Sequence, residues 1–331
     1  MKTIILKEHG GVEGFDLAEI PHPLVQNDHV IIKVCASSIN PVDCKIRGGM
    51  LAAIGPDLPG VIHGDVAGIV TEVGDGVKEL EVGDEVYGCI GGFKDMPGVL
   101  SEYALADPRL LAKKPANLSM REAAVLPLVG ITSWNALVDR GSLAKGQRVL
   151  VHAGTGGVGH FGLQLAKAMG AEVHTTISNG QKEELAQELG ADHVINYFKM
   201  SPKQYVAQFT EGMGYDLVFD TVGGTCLDHS FEAAKEYGTV VSIAARSKHD
   251  LTQVHVKSLS LHVVFMLLPI LKNQYREQHG NILNKITELV ENGKIKPILH
   301  DEEFSFEEVG LAHECWESGR SIGKISIGNT W

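Results

Sequence analysis

A short run rich in glycine limits the fold of this chain more than any other segment, namely G-T-G-G-V-G at 154–159. An apolar, strand-like run precedes it at 148–152, and a helix-like stretch that ends at Gly170 follows it. A second apolar run at 172–177 completes a strand–helix–strand unit of about 30 residues. Because the N–H groups and dipole at a helix N-terminus attract anions, this pattern predicts a site for a dinucleotide diphosphate.

Three of the four glycines in this run have predicted roles. Gly154 makes the turn, Gly156 lets the phosphates approach the backbone, and Gly159 lets the helix pack on the strand. The alternative is a glycine-rich turn that serves only tight packing of strand and helix. The predicted cofactor loop consists of Gly154, Thr155, Gly156, Gly157, Val158 and Gly159.

The residues after the second strand indicate which dinucleotide binds. A free ribose 2′-hydroxyl usually meets an Asp or Glu at this point, and none is present here. This stretch offers small hydrogen-bonding groups and one cation, which suit a 2′-phosphate: Thr176, Ser178, Asn179 and Lys182. The sequence therefore predicts NADP(H), although Lys182 could equally be a solvated helix residue.

The hydrophobic pattern changes along the chain. Residues 1–120 form short, turn-punctuated runs, in which Val30, Ile32, Val34 and Ala36 alternate with other residues, as expected for a small β-barrel. From 147 onward, apolar strands alternate with helix-length segments, which predicts a parallel doubly wound sheet. The predicted strands of that sheet are 148–152, 172–177, 193–196, 216–220 and 239–243, and the run 261–271 is also interpreted as a buried strand.

Composition narrows the classes of partner. A net charge of −12 over 331 residues argues against a protein that binds nucleic-acid phosphates. Five scattered cysteines without a CxxC pair suit a reducing compartment, and the N-terminal apolar run is too short for a signal peptide. The longest apolar segment is too short to span a bilayer. We expect a cytoplasmic protein that binds a small molecule and neither nucleic acid nor membrane.

Several motifs in a fixed order carry a resemblance to a known family. They are NPVDCKIRGG (40–49), HGDVAGIVTEVGDGV (63–77), VGDEVYG (82–88), AAVLPLVGITSWNAL (123–137) and the glycine run. Together they resemble the zinc-free quinone oxidoreductase and enone reductase branch of the medium-chain dehydrogenase/reductase superfamily. The resemblance implies an α/β fold: a GroES-like β-barrel catalytic domain (1–122 and 295–331) plus a Rossmann doubly wound parallel sheet (123–294). It also implies an active site in the cleft between the domains, and a homodimer.

The resemblance bears on metal binding. In the alcohol-dehydrogenase relatives, a cysteine ligand holds the place of Asn40 and a histidine ligand holds the place of Gly64. His63 lies one position too early, so on a strand its side chain would point to the opposite face. We therefore expect no metal site, and we interpret His63 as a hydrogen-bonded histidine at a strand entrance.

On the substrate side, the resemblance points to Asn40 and Lys45 as catalytic residues. Quinone oxidoreductases commonly carry tyrosine at the position of Lys45, whereas lysine is more similar to enone reductases. The expected function is an NADPH-dependent transfer of hydride to quinones or α,β-unsaturated ketones without metal, with Lys45 stabilising the carbonyl oxygen or donating a proton. Two alternatives remain open: a zinc-type alcohol dehydrogenase and an NADPH-binding protein with negligible turnover.

The resemblance implies further cofactor contacts outside the glycine run. Near the C-terminus, Lys324 is similar to a family position at the cofactor edge, but a solvated strand lysine is the preferred interpretation. The additional cofactor residues implied are Thr132, Tyr197, Thr221, Val222, Gly223, Ile243, Phe265, Met266 and Leu267.

Overall fold

The computed structural model describes all residues from 1 to 331 and divides into two compact units. The first unit comprises Met1–Leu128, Leu267–Gly293 and Pro297–Trp331, and the second comprises Val129–Met266 and Lys294–Lys296. The domain boundaries expected from the sequence, after 122 and after 294, remain a prediction.

Fifteen strands and eleven α-helices make up the chain. The strands are β1 (Lys2–Leu6), β2 (Phe15–Glu19), β3 (Val30–Ser38), β4 (Asp65–Val73), β5 (Glu85–Cys89), β6 (Tyr103–Ala106), β7 (Leu111–Lys113), β8 (Arg148–Val151), β9 (Glu172–Ile177), β10 (His193–Asn196), β11 (Tyr215–Asp220), β12 (Ala234–Ser242), β13 (Ser260–Val263), β14 (Phe304–Ser305) and β15 (Ser326–Gly328).

The helices are mostly short, and several begin at a proline. Proline suits this position because the N–H groups of the first turn have no partner within the helix, so its missing N–H costs no hydrogen bond. They are α1 (Pro41–Arg47), α2 (Met120–Ala124), α3 (Pro127–Trp134), α4 (Gly157–Ala168), α5 (Glu183–Glu188), α6 (Pro202–Phe209), α7 (Thr225–Ala233), α8 (Thr252–Val256), α9 (Leu268–Lys272), α10 (Glu277–Glu291) and α11 (Val309–Glu317). No helix is both long and apolar enough to cross a bilayer.

The first unit is built on a seven-stranded sheet in the order β14-β15-β3-β4-β5-β7, with β6 also paired to β3. Val30, Ile32, Val34 and Ala36 of β3 are buried, as the alternation in the sequence predicts. Ile31 is buried as well, so this strand is covered on both faces near its start. A separate antiparallel pair, β1 and β2, completes the strands of this unit.

The second unit contains a six-stranded sheet in the order β10-β9-β8-β11-β12-β13, in which every neighbouring pair is parallel. This confirms the predicted doubly wound sheet. The first strand of this sheet along the chain, β8, lies in its middle. The next two strands, β9 and β10, extend the sheet to one side of β8, and β11, β12 and β13 then extend it to the other side. In such sheets the carboxyl ends of the strands beside the reversal form the ligand crevice.

The prediction of a buried strand over 261–271 is wrong in extent. The strand is limited to Ser260–Val263, and after a turn the chain enters α9, which has Pro269 in its first turn. Proline cannot donate to a sheet ladder but suits a helix start, which explains the change of structure. β13 is an edge strand, and its last residue, Val263, is 56% exposed; Phe265, which follows the strand, is 44% exposed.

The contact between α4 and the end of β8 provides a test of the fold. A Cβ built on Gly159 would lie 2.0 Å from the carbonyl oxygen of Ala153, whereas one on Gly180 would meet nothing within 4 Å. We expect Gly159→Ala to lower the free energy of unfolding by more than about 2 kcal/mol, because backbone must move to admit the methyl group. Gly180→Ala, the matched control, should change it by less than about 0.5 kcal/mol in urea unfolding. Equal stabilities for the two variants would contradict this account.

Candidate active site

In the second unit, the N-terminus of α4 is open. The chain leaves β8 at Val151, passes through Ala153 in a left-handed conformation (φ 53°), and enters the helix with Gly156 as its N-cap residue. No side chain caps this end, and no acidic residue lies in its first turn. The first N–H groups of a helix lack partners within the helix, so this terminus can accept an anion.

Two of the three glycines in the fingerprint are explained by packing alone. A Cβ on Gly154 would lie 2.0 Å from Oγ1 of Thr175, and the one on Gly159 would strike the Ala153 carbonyl. A Cβ on Gly156 would lie 3.2 Å from the Ala153 carbonyl oxygen, a tight contact but a less severe one than at the other two positions. Packing therefore constrains Gly156 least, and the bare backbone at the helix N-terminus fits a diphosphate.

Side chains from neighbouring strand ends hold this loop in place. The Ala153 N–H donates to Oγ1 of Thr176 (3.1 Å), and Oγ1 of Thr221 donates to the His152 carbonyl (2.6 Å). After β11, the Asp220 carboxylate accepts hydrogen bonds from the N–H groups of Val222 and Gly223. The start of the predicted cofactor loop and the turn after β11 are thus fixed by hydrogen bonds inside the second unit.

A cavity of about 750 Å³ lies at the carboxyl ends of these strands. Three predicted cofactor residues line it: Tyr197, Val222 and Gly223. Thr176, one of the small hydrogen-bonding residues that the sequence offers at the end of β9, lines it too. Ala153 also lines it and is not among the predicted residues; the available signal was its position after β8, at the strand ends where a doubly wound sheet binds its ligand.

The remaining predicted cofactor residues lie outside the lining of this cavity. Lys182 is half-buried beside the start of α5 and forms no ion pair with a carboxylate. Ser178 is half-buried and Asn179 is exposed in the turn after β9. The others are distributed as follows: Thr132 is buried in α3, Ile243 is half-buried after β12, Phe265 is exposed, and Met266 and Leu267 are buried.

In the first unit, Asn40 belongs to a buried polar network. Its Oδ1 accepts a hydrogen bond from Nζ of Lys324 (2.5 Å), and its Nδ2 donates to Oδ2 of Asp65 (2.8 Å). Nζ of Lys324 also donates to the Ile39 carbonyl (2.6 Å) and lies 3.9 Å from Oδ2 of Asp65. One amide therefore bridges a buried ammonium and a buried carboxylate.

A second carboxylate, that of Asp43, lies beside this network. Its Oδ2 accepts from the Asn40 N–H (2.8 Å), while Asp65 accepts from the Ser38 hydroxyl and the Leu128 N–H. Burial and the neighbouring Asp65 raise the pKa of Asp43 to about 7. Burial also raises the pKa of Asp65 and lowers that of Lys324, and the hydrogen bonds and charges of the network oppose both shifts.

The interpretation of Lys324 as a solvated strand residue is wrong. The side chain is only 4% exposed, because it precedes β15, an interior strand that pairs with β3. Its partners are Ile39, Asn40 and Asp65, which lie far away along the chain. Nothing local in the motif GKISI reveals partners at such a separation.

The two catalytic candidates have different surroundings. Asn40 is buried with both ends of its amide engaged, whereas Lys45 is an exposed residue of α1. The Lys45 ammonium makes no hydrogen bond or ion pair within the protein. The structure thus leaves Lys45 outside the network that holds Asn40.

His63 makes the hydrogen bond expected of it. Its Nε2 lies 2.9 Å from Nε2 of His313, and Nε of Arg47 donates to Nδ1 of His313 (3.3 Å). Since Nδ1 of His313 accepts, its Nε2 carries the proton and donates to His63. Burial lowers the pKa of His63 to about 3 and holds that of His313 well below its usual range, so both rings are neutral at physiological pH.

These features define a class of protein, a dinucleotide-binding doubly wound domain joined to a strand-rich unit with a buried polar network. Comparison with known families agrees with this class. Residues 26–116 match the alcohol dehydrogenase GroES-like domain, and residues 157–280 match the zinc-binding dehydrogenase family.

Three relatives illustrate the similarity. The chain is 35% identical to 2-methylene-furan-3-one reductase of Solanum lycopersicum and 34% identical to the chloroplastic NADPH-dependent alkenal/one oxidoreductase of Arabidopsis thaliana, covering 99% of this chain and 79% of each relative. The structure of Escherichia coli quinone oxidoreductase complexed with NADPH aligns with a TM-score of 0.87 at 27% identity, over 99% of this chain and 100% of that one. The chain belongs to the medium-chain dehydrogenase/reductase superfamily, in its quinone oxidoreductase and enone reductase branch, and the predicted GroES-like and Rossmann architecture is confirmed.

The buried Asp43 carboxyl predicts a specific dependence of stability on pH. The pKa of Asp43 is about 7 in the folded protein and about 4 in the unfolded chain. Between these two pH values the folded state therefore keeps a proton that the unfolded state has lost. The wild type should therefore lose stability relative to Asp43→Asn as the pH rises through this window. Across this window the free energy of unfolding of the wild type should fall by about 2–4 kcal/mol relative to that of Asp43→Asn, and above pH 7 the difference between the two should stay constant. Denaturant unfolding at each pH measures both values.

The exposed Asp57 supplies a matched control, since Asp57→Asn alters the same type of group outside the network. This control should show no such window. An Asp43→Asn variant whose stability stays parallel to that of the wild type from pH 4 to pH 8 would contradict the assignment.

Proposed function

We propose that this chain is an NADPH-dependent reductase that transfers hydride to quinones or α,β-unsaturated ketones without a metal. The observation that carries the proposal is the uncapped N-terminus of α4, opened by Gly156 beside the cavity of the second unit. Family membership gives the reaction class, since the relatives named above are reductases and oxidoreductases of this kind.

When bound, the reduced nicotinamide supplies the hydride. The chain's own residues bind and orient it: the N–H groups of 157–159 and the helix dipole hold the diphosphate, and Tyr197 and Val222 line the cavity beside them. Negative charge then develops on the substrate's carbonyl oxygen. Lys45 stabilises that charge from its exposed ammonium, which no carboxylate of the protein neutralises.

We assign Asn40 to positioning. Its amide is 1% exposed and is held at both ends, by Lys324 and by Asp65, so burial separates it from a substrate. Its backbone N–H is capped by Asp43, and it begins α1, the helix that carries Lys45. Asn40 therefore fixes the start of the helix from which Lys45 acts.

The preference for NADPH rests on the turn after β9. No acidic residue lies at 178–182 to accept a ribose hydroxyl, and Ser178, Asn179 and Lys182 are among the polar residues there. The Lys182 ammonium has no carboxylate partner, so binding a 2′-phosphate would not require it to give up an ion pair. These features support NADP(H) over NAD(H).

Three positions support the absence of catalytic zinc. Asn40 holds the place of a cysteine ligand, and the Lys324 ammonium binds to it directly. A Cβ on Gly64, at the place of a histidine ligand, would lie 2.7 Å from the Gly91 carbonyl oxygen. His63 is engaged with His313. A cation is already buried at this network, and the ligand types that zinc prefers are missing.

We also propose a homodimer formed through the edge of the second unit's sheet, in the cytoplasm, with no nucleic-acid or membrane partner. The edge strand β13 leaves one row of backbone groups unpaired and exposes Val263 beside it, as an edge that pairs with a second copy would. The five cysteines are free, which suits a reducing compartment.

Substitution of Lys182 tests the cofactor preference. We expect Lys182→Ala to raise KM for NADPH by about tenfold or more and to change KM for NADH by less than about twofold, because only NADPH carries the 2′-phosphate. Steady-state loss of reduced-nicotinamide absorbance with an enone gives both values. Lys203→Ala, an exposed lysine on α6 outside the cavity lining, is the control. Equal effects on the two cofactors, or a wild type that prefers NADH, would overturn the assignment.

Substitution of Lys45 tests the proposed role in chemistry. Lys45→Ala should lower kcat/KM for enones by about tenfold or more, and Lys45→Arg should keep most of the activity if charge is what matters. A guanidinium does not release its proton at ordinary pH, so an arginine variant as slow as the alanine variant would indicate proton donation instead. The exposed Lys33 provides an alanine control in the same unit. Full turnover by Lys45→Ala would remove the residue from the mechanism, and no turnover by the wild type with any quinone or enone would favour a binding protein.

A further inference from the structure

A second cluster of chemically active side chains lies in the first unit and has no role in the proposed reaction. It consists of His300, Glu302 and Cys315, whose potential ligand atoms all lie within 4.8 Å of one another. Sγ of Cys315 and Nε2 of His300 are 3.4 Å apart and share a hydrogen bond, whose proton a metal ion would replace. An imidazole, a carboxylate and a thiol therefore converge on one point.

The cluster is held by regular structure on both sides. Cys315 projects from α11 and is 7% exposed, so its position is fixed by packing. His300 is half-buried, and its backbone N–H donates to the Lys324 carbonyl (2.8 Å), which fixes the segment before β14. Glu302 is exposed and free to turn toward the other two. Two ligands are thus preorganised and the third is adjustable.

The spacing suits a tetrahedral ion. Bonds of about 2.3 Å to sulfur and about 2.0–2.1 Å to nitrogen, at a tetrahedral angle, place the two ligand atoms about 3.5–3.6 Å apart. The observed separation of 3.4 Å between Sγ and Nε2 matches this requirement closely. Rotation of the Glu302 side chain would bring its oxygen to the third position, and the fourth would be left for water.

The charges around the thiol favour a cation. The Glu302 carboxylate has an oxygen within 4.8 Å of the Cys315 sulfur, so the cluster includes a negative charge that a cation can balance. A divalent ion would stabilise the thiolate and balance the carboxylate, with release of one proton from sulfur.

Another cluster, of Glu172, His174 and His193 in the second unit, is less suitable. The Glu172 carboxylate already accepts from Nε of Arg148 (3.0 Å), so a cation is present. Both ring nitrogens of His174 are engaged, one with the Tyr215 hydroxyl and one with Glu172. These groups satisfy one another and leave no ligand set for an ion.

We propose that His300, Glu302 and Cys315 bind one divalent metal ion of the zinc class and thereby tie the segment before β14 to α11. This assignment revises the expectation of no metal site drawn from the sequence. It does not depend on the proposed reductase activity, since none of the three residues contacts the Asn40 network through its side chain. One consequence is that stoichiometric zinc in the purified protein does not indicate a zinc-type alcohol dehydrogenase.

The test uses the full chain, stripped with a chelator and titrated with zinc sulfate in a calorimeter. We expect one equivalent to bind, and the alanine or glutamine variants Cys315→Ala, His300→Gln and Glu302→Gln to weaken binding by about tenfold or more each. The half-buried Cys35 lies outside the cluster, so Cys35→Ser should bind zinc as the wild type does. Turnover with enones should be the same in the loaded and stripped protein.

Cobalt provides a readout that does not depend on variants that fold poorly. Wild-type protein loaded with cobalt should show a thiolate-to-metal charge-transfer band, which the Cys35→Ser protein retains. Absence of stoichiometric zinc binding, a cobalt complex without the thiolate band, or undiminished binding by Cys315→Ala would each overturn the proposal. Loss of turnover on stripping would instead indicate a catalytic metal, and would count against both this site's structural role and the metal-free reaction.

Discussion

The Lys324 ammonium is the centre around which the first unit is organised. It is buried next to two carboxylates, those of Asp43 and Asp65, and the Asn40 amide joins it to Asp65. A buried ion pair is favourable only when its remaining donors and acceptors are satisfied, and here the Ser38 hydroxyl and the Leu128 N–H complete the set. Removing one partner would leave an uncompensated charge, so the elements that carry these residues are coupled to one another.

One cation and two carboxylates cannot all be ionised in a buried site without a net negative charge. The raised pKa of Asp43 resolves this, because a proton on that carboxyl leaves Lys324 and Asp65 as a neutral pair. Asp65 accepts more hydrogen bonds than Asp43, three of them from the uncharged donors of Ser38, Asn40 and Leu128, so it is the better site for the negative charge. The network therefore favours the negative charge on Asp65, and it fixes where the helix α1 begins.

The sequence predicted the second unit well because its determinants are local. Its strands, the loop at Gly156 and the helix end at Gly170 each depend on residues that are close together in the sequence. The parallel order of the strands follows from the short crossovers between them. The first unit's polar groups depend on partners far apart in the chain, such as Lys324 with Asn40 and Cys315 with His300. A single sequence contains no signal for such pairs. The burial of Lys324 therefore could not be predicted from the sequence. The run at 261–271 failed for another reason: apolar content alone does not separate an edge strand from a helix start at Pro269.

The position of Lys324 also bears on how this family's two kinds of chemistry differ. Polarising a carbonyl needs positive charge near the developing oxyanion, and a metal ion or an ammonium can each supply it. A divalent ion at the place of Asn40 would lie against the buried Lys324 ammonium, and the two cations would repel each other strongly in a medium of low dielectric constant. The buried lysine and a metal at that place are therefore mutually exclusive on electrostatic grounds. The Lys324 ammonium is paired with Asp65 and held by Asn40, so it neutralises a charge of the protein itself.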